Sequence, residues 1–258
     1  MRRSSNNAAP PARAVVVTFV ALGALAFTAG AALAAGPRAE VQMNLCSDPK
    51  ELAGALHLRP GGPPMEVWYF ETAAREVFDR GAVLRLRLKG GKGQLTLKVA
   101  DQDCAKVDQT RLRQGDGKCE YDLHGADLKG AVSLSQDLDE KTVRELLTGR
   151  LPLADVLGAA QIRYLREHTA AWPLPAGVAP RGPVRIAPYR ADGKKFVVEI
   201  WELPAGQRYV EMSQKTAYAD ALRLRAALEA ELTRAGVVLC SDQSSQAGNK
   251  ARDLVARP

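Results

Sequence analysis

Histidine is scarce in this sequence. The three copies, His57, His124 and His168, stand beside no nucleophile at motif spacing, and a surface or hydrogen-bonded role fits each. No G-x-S-x-G surrounds a serine, so Ser213 in "EMSQK" has no nucleophile context. The four cysteines include no C-x-x-C pair, the spacing on which a structural zinc site is built. "KGGKG" at 89–93 is followed by no Lys-Ser/Thr and helix, so it reads as a hairpin turn and not a phosphate-cradling loop. Tryptophan is limited to Trp68, Trp172 and Trp201, which read as packing residues. There is no tandem repeat. What remains is an ordinary globular composition, 46% hydrophobic and 25% charged.

The first 35 residues carry only three charges, Arg2, Arg3 and Arg13, and no acid. The run "AVVVTFVALGALAFTAGAALAA" follows, ending in small residues with Ala32-Leu33-Ala34 as an A-x-A-type cleavage site. This is a secretory signal by pattern. At about 22 residues the run is also long enough for an uncleaved anchor, the only route by which a membrane enters this reading. Cleavage takes three arginines from a formal charge of +7 and leaves +4, too modest for a nucleic-acid-scale field. Export makes disulfides the expected state of an even cysteine count. Four cysteines allow three pairings. The expected one is Cys104 with Cys119, facing each other across a Gly/Asp-rich loop, and Cys46 with Cys240, near the two ends of the domain.

Strands with one apolar and one polar face recur along the chain. Val41, Met43 and Leu45 alternate with Glu40, Gln42 and Asn44. In "GAVLRLRLKGGKGQLTLKVA" (81–100), Leu84, Leu86 and Leu88 alternate with Arg85, Arg87 and Lys89, and Leu95, Leu97 and Val99 with Gln94, Thr96 and Lys98. "KCEYDLHG" sets Lys118, Glu120 and Asp122 against Cys119, Tyr121 and Leu123. Tyr209, Glu211, Ser213 and Lys215 share one side of "RYVEMSQKT". "MEVWYFET", "VRIAPYR" and "KKFVVEIWEL" complete the strand set. Asp48 and Pro49 open a short helix to about Leu58, and Asp139 caps "EKTVRELLTG", which stops at Gly149. Residues 101–118 read as loop, 132–170 as a helical middle, and 170–183 as a proline-rich connector. The stretch 217–236 is the clearest helix, with Leu222, Ala226, Leu228 and Leu232 on its apolar face, and "ARDLVA" forms a last short one. Two architectures satisfy this alternation: an antiparallel sheet with one wet face, or a closed barrel with a polar lumen and helices outside.

The strand motifs, in their order, resemble those of the CYTH-like superfamily, the triphosphate tunnel metalloenzymes. That family runs E-x-E-x-K, "LR-x-R", "LT-x-K", an E-x-E-type strand, then late acidic strands ending near a lysine. This chain offers "EVQMNL", "GAVLRLR", "GQLTLKV", "CEYDL" and "VEIWELPAGQRYVEMSQK", from about residue 40 to 215. The resemblance implies an α+β fold: an eight-stranded antiparallel closed β-barrel, or tunnel, with a polar lumen and helices packed outside. Residues 36–258 would form that single domain. The resemblance further implies phosphate binding by Arg85, Arg87, Lys98 and Lys215, with Arg185 or Arg190 as a fifth cation. Glu40, Glu120, Asp122, Glu199 and Glu211 would hold Mg²⁺ or Mn²⁺. Gln42, Asn44 and Ser213 stand where the family places a carboxylate, a lysine and a carboxylate, so fewer anionic oxygens are offered to a hard cation. The expected function is an exported tunnel protein that binds a small phosphorylated anion or polyphosphate. A metal-dependent phosphohydrolase and a non-catalytic envelope scaffold are the alternatives.

Overall fold

The computed structural model describes residues 36–243; the N-terminal apolar run and the "ARDLVA" segment lie outside the described residues. Ten strands are present: β1 (Arg38–Leu45), β2 (Leu58–Pro60), β3 (Met65–Glu71), β4 (Ala82–Lys89), β5 (Lys92–Val99), β6 (Gly117–His124), β7 (Asp127–Leu138), β8 (Ala179–Ala191), β9 (Val197–Glu202) and β10 (Arg208–Ala217). The helices are α1 (Pro49–Ala55), α2 (Glu76–Asp79), α3 (Gln109–Arg113), α4 (Glu140–Leu147), α5 (Leu153–Val156), α6 (Ala159–His168) and α7 (Ala221–Arg234). Asp48 caps α1 through the Lys50 N–H and Asp139 caps α4 through that of Thr142, as their sequence positions predict.

Nine strands close into a barrel in the order β8-β3-β4-β5-β7-β6-β1-β10-β9, and β9 pairs back onto β8. The short β2 lies along β8. All pairs are antiparallel except β1 with β6, which is parallel. Two expectations are corrected here: the barrel has nine strands rather than eight, and it is mixed rather than antiparallel. The ninth strand is β7. Its "GAVSLSQD" is small and hydroxyl-rich, and the helical middle was expected from about residue 132; the helices begin at Glu140 instead. The first helix likewise stops at Ala55, because Leu58–Pro60 pairs with β8.

Alternation turns one face of each strand outward under the helices. Leu84, Leu86, Leu95 and Leu97 are buried beneath Val143, Leu146, Leu153 and Leu165 of α4 to α6. Val41, Met43, Val198 and Met212 are buried beneath Leu52 of α1 and Leu228 and Leu232 of α7. Each such side chain contributes about 1.5–3 kcal/mol. Leu222 and Ala226 depart from the expected apolar face of α7: both are exposed, Leu222 at 64% in the first turn. Gln161 fastens α6 to the barrel. Its buried amide donates to the carbonyls of Leu95 and Leu134 at 3.2 and 3.0 Å.

A third apolar cluster lies on the inner face. Val67 is in register with Arg87, and Tyr69 with Arg85. Both belong to a cluster with Val184, Ile186, Trp201 and Leu203. The lumen is therefore polar along β4 to β7 and largely apolar along β3, β8 and β9, not polar all round. Both disulfides are closed, Cys46 to Cys240 and Cys104 to Cys119.

Candidate anion-binding lumen

Three cross-strand rows build the polar wall. In the first, Arg87 pairs with Gln94, which pairs with Asp137; in the second, Arg85 pairs with Thr96, which pairs with Ser135. In the third, Val83 pairs with Lys98, Lys98 with Ser133, and Ser133 with Lys118. Thr96 and Ser135 share a hydroxyl hydrogen bond of 2.9 Å. Together with Glu40, Glu120 and Asp122 these side chains, apart from Val83 and Asp137, enclose a chamber of about 150 Å³. Arg87 and Gln94 also line a wider mouth of about 790 Å³, whose other residues include Met65, Lys89, Lys92, Ile186 and Glu199.

The predicted acids fall into two groups. Glu40 is in register with both Asp122 and Lys215. Lys98 is ion-paired with Asp122, and Lys118 with Glu120. Lys215 donates to both Glu120 oxygens at 3.0 and 2.9 Å and lies 3.8 Å from Glu40. Three ammonium groups thus interleave three carboxylates. Glu199 and Glu211 form the other group, side by side across β9 and β10. Among the described residues no three His, Cys, Asp or Glu side chains converge as a metal site. As folded, the donor set does not fit Mg²⁺ or Mn²⁺: lysines engage Glu40, Glu120 and Asp122, Gln42 and Ser213 supply no charge, and Glu199 and Glu211 are only two carboxylates on their own pair of strands.

Burial disfavours the Glu120 carboxylate, but Lys118 and Lys215 outweigh it and hold its pKa below the ordinary 4.5. Burial likewise lowers the Lys215 ammonium, and Glu120 and Glu40 outweigh it to raise its pKa above the ordinary 10.5. The carboxylate's contribution to stability is therefore present above pH 4.5 and lost as pH falls through its folded value. The ammonium's contribution is present below pH 10.5 and lost as pH rises through its folded value. Glu120→Gln is expected to cost on the order of 1 kcal/mol at pH 7. Urea unfolding from neutral to acid pH should show that difference closing below pH 4.5; a difference that persists at low pH would contradict the network.

Arg85 and Arg87 behave differently from the lysines. The Arg85 Nε is buried with no hydrogen-bond partner. Burial, and then the neighbouring Arg85, push the Arg87 guanidinium down to about 10, against the opposing pull of Tyr69, Glu199 and Glu40. Two mutually repelling cations thus face a small polar chamber.

The two candidates for a fifth cation lie elsewhere. Arg185 is on the outer face, 71% exposed and 3.7 Å from Glu66. Arg190 is exposed at the β2 seam, against Gly61. Instead Arg181 stands in register with Tyr69, beyond the bulge in the β3–β8 ladder, with its Nε buried and unpartnered. Sequence reasoning also left out Lys118, whose place on the Glu120 side of β6 was the available signal, and Ser133 and Ser135, whose two-residue spacing marks one strand face.

No family model matches the chain, and no curated protein matches its sequence. Solved structures do. HpAC1 of Hippeastrum, a candidate adenylyl cyclase described as having a dominant triphosphatase activity, aligns with a TM-score of 0.56 at 17% identity, over 83% of this chain and 94% of its own. A candidate adenylate cyclase of Bacillus halodurans aligns with a TM-score of 0.54 at 15% identity, over 81% and 95%. The closed ring, the inward Arg85 and Arg87, the charged rows beside them and these two likenesses agree on one architecture: the chain has the closed-barrel fold of those two structures, as its resemblance to the CYTH-like superfamily implies.

Proposed function

We propose that this is an exported protein whose lumen binds the phosphate groups of a polyphosphate or small organophosphate, without a metal ion. The observation that carries the proposal is the Arg85–Arg87 pair: two half-buried, mutually repelling guanidinium groups, one with a buried Nε that has no hydrogen-bond partner, beside the Thr96 and Ser135 hydroxyls. An anion entering the chamber relieves their repulsion and supplies charge-assisted hydrogen bonds, which are stronger than neutral ones. Lys98, Lys118 and Lys215 already balance the carboxylates, so the chamber does not depend on a divalent cation for its positive charge. The triphosphatase activity described for HpAC1 supports a phosphorylated ligand class. The apolar leader and two disulfides support export.

Calorimetry with tripolyphosphate tests this on residues 36–258, whose described part, 36–243, belongs to one compact unit. Binding in EDTA is expected, weakening strongly from roughly 0.1 to 1 M salt as the Debye length falls from about 10 to 3 Å. Phosphate release that requires Mg²⁺ or Mn²⁺, with no binding in EDTA, would replace this reading with a phosphohydrolase. Neither binding nor release would leave a scaffold.

A further inference from the structure

A second cavity, of about 360 Å³, lies outside the barrel between α6 and the loop that leads through α3 to β6. Its floor is apolar, made by Val107, Leu112, Leu134 and Ala160. Gly115 keeps the loop close to α6: a methyl group there would meet the Ala160 Cβ at 3.0 Å. One side is aromatic. The Tyr164 ring stacks on His168 with centroids 4.1 Å apart. The Tyr164 hydroxyl donates to Gln102 Oε1 at 2.9 Å, and burial pushes this phenol up to about 12, so it stays a neutral donor.

The charges on the rim are unequally engaged. Asp103 accepts from the Ala105 N–H at 3.1 Å and pairs with Lys106 at 3.0 Å. Asp108 caps α3 through the N–H groups of Thr110 and Arg111, at 2.9 and 3.0 Å. Glu167 lies 3.8 Å from His168. Arg111 and Arg163 line the same cavity and form no ion pair with a described carboxylate. Carboxylates and cations line the cavity in equal number, and Arg111 and Arg163 are the two cations whose side chains no carboxylate of this rim engages. The volume falls within the roughly 300–1,000 Å³ of small-molecule sites, which typically combine an apolar lining with a few convergent polar groups.

We propose that this cavity binds a small planar aromatic carboxylate, its ring over the apolar floor beside Tyr164 and its carboxylate at Arg111 and Arg163. The proposal does not rest on the lumen reading, because none of these residues faces the chamber. Calorimetric titration of 2-naphthoate into residues 36–258, with tripolyphosphate present or absent, tests it. Saturable one-site binding that tripolyphosphate does not compete away is expected. Joint Arg111→Ala and Arg163→Ala substitution, both at exposed positions, should weaken it by at least about tenfold, and neutral 2-naphthamide should bind more weakly by a similar factor. Ala160→Trp, which fills the cavity, should remove binding; where that variant fails to fold, the arginine pair decides. The proposal is overturned by the absence of saturable binding, by competition from tripolyphosphate, or by unchanged affinity in the double arginine variant.

Discussion

Replacing Arg85 and Arg87 together by methionine is expected to weaken tripolyphosphate binding by at least about a hundredfold while making the protein harder to unfold. The first effect follows from two charge-assisted contacts at about 1.5–3 kcal/mol each. The second follows from what the arginines cost the fold. Burial and a like-charged neighbour already depress the Arg87 guanidinium, and Arg85 keeps a buried Nε without a partner. An unbranched apolar side chain of similar length removes that penalty, for a gain of about 1 kcal/mol or more. Calorimetry gives the affinity and urea unfolding the stability. A variant that loses both together would mean that the arginines hold the barrel in shape. Unchanged affinity would remove the phosphate reading of the lumen. Arg87→Lys sharpens the comparison: it keeps the charge but loses the planar fork that engages two oxygens at once.

The largest stability effect is expected at the chain's ends. Cys46 and Cys240 are 194 residues apart in sequence, so their bond closes a loop of nearly the whole domain. In the chain-entropy model that closure contributes about 5 kcal/mol. Replacing both by alanine is then expected to lower the unfolding midpoint by roughly 10–20 °C. The local pairing around the bond survives on its own hydrogen bonds, Cys46 N–H to Val238 O at 2.8 Å and Cys240 N–H to Asn44 O at 3.0 Å. The short 104–119 loop constrains far less chain, so its removal should cost less. Differential scanning calorimetry of the two double variants checks the ranking, and equal shifts would contradict it.

The sequence made the arginine-bearing strands legible because each has a strict two-residue alternation and a single buried face. Leu84 and Leu86 against Arg85 and Arg87 leave one choice of inward side once the helices claim the leucines. The same rule misplaced Arg185. In "VRIAPYR" the polar residues were expected to face inward, as on β4, but on β8 the inward side is apolar. Val184 and Ile186 pack there with Val67 and Trp201, so Arg185 turns to solvent. Alternation reveals two faces and cannot tell which is inside when the lumen changes character around its circumference. β7 went unread for a different reason. Its inward residues Ala131, Ser133 and Ser135 are small, so the contrast between its faces is weak. Arg181 depends on a bulge, which shifts register without a local sequence signature. The lysine–carboxylate interleaving needs four strands, β1, β5, β6 and β10, to be brought together, and no single stretch contains it.

The parallel contact between β1 and β6 bears on how the molecule assembles. The first strand is flanked by β6 and by β10, whose register partner for Arg38 is Ala217. A ribosome or a translocation pore would therefore deliver the amino-terminal strand long before its far neighbour exists, leaving an unsatisfied edge through most of synthesis. Such remote pairing slows folding and lengthens exposure to aggregation. A polypeptide arranged this way gains by staying unstructured until its tail emerges.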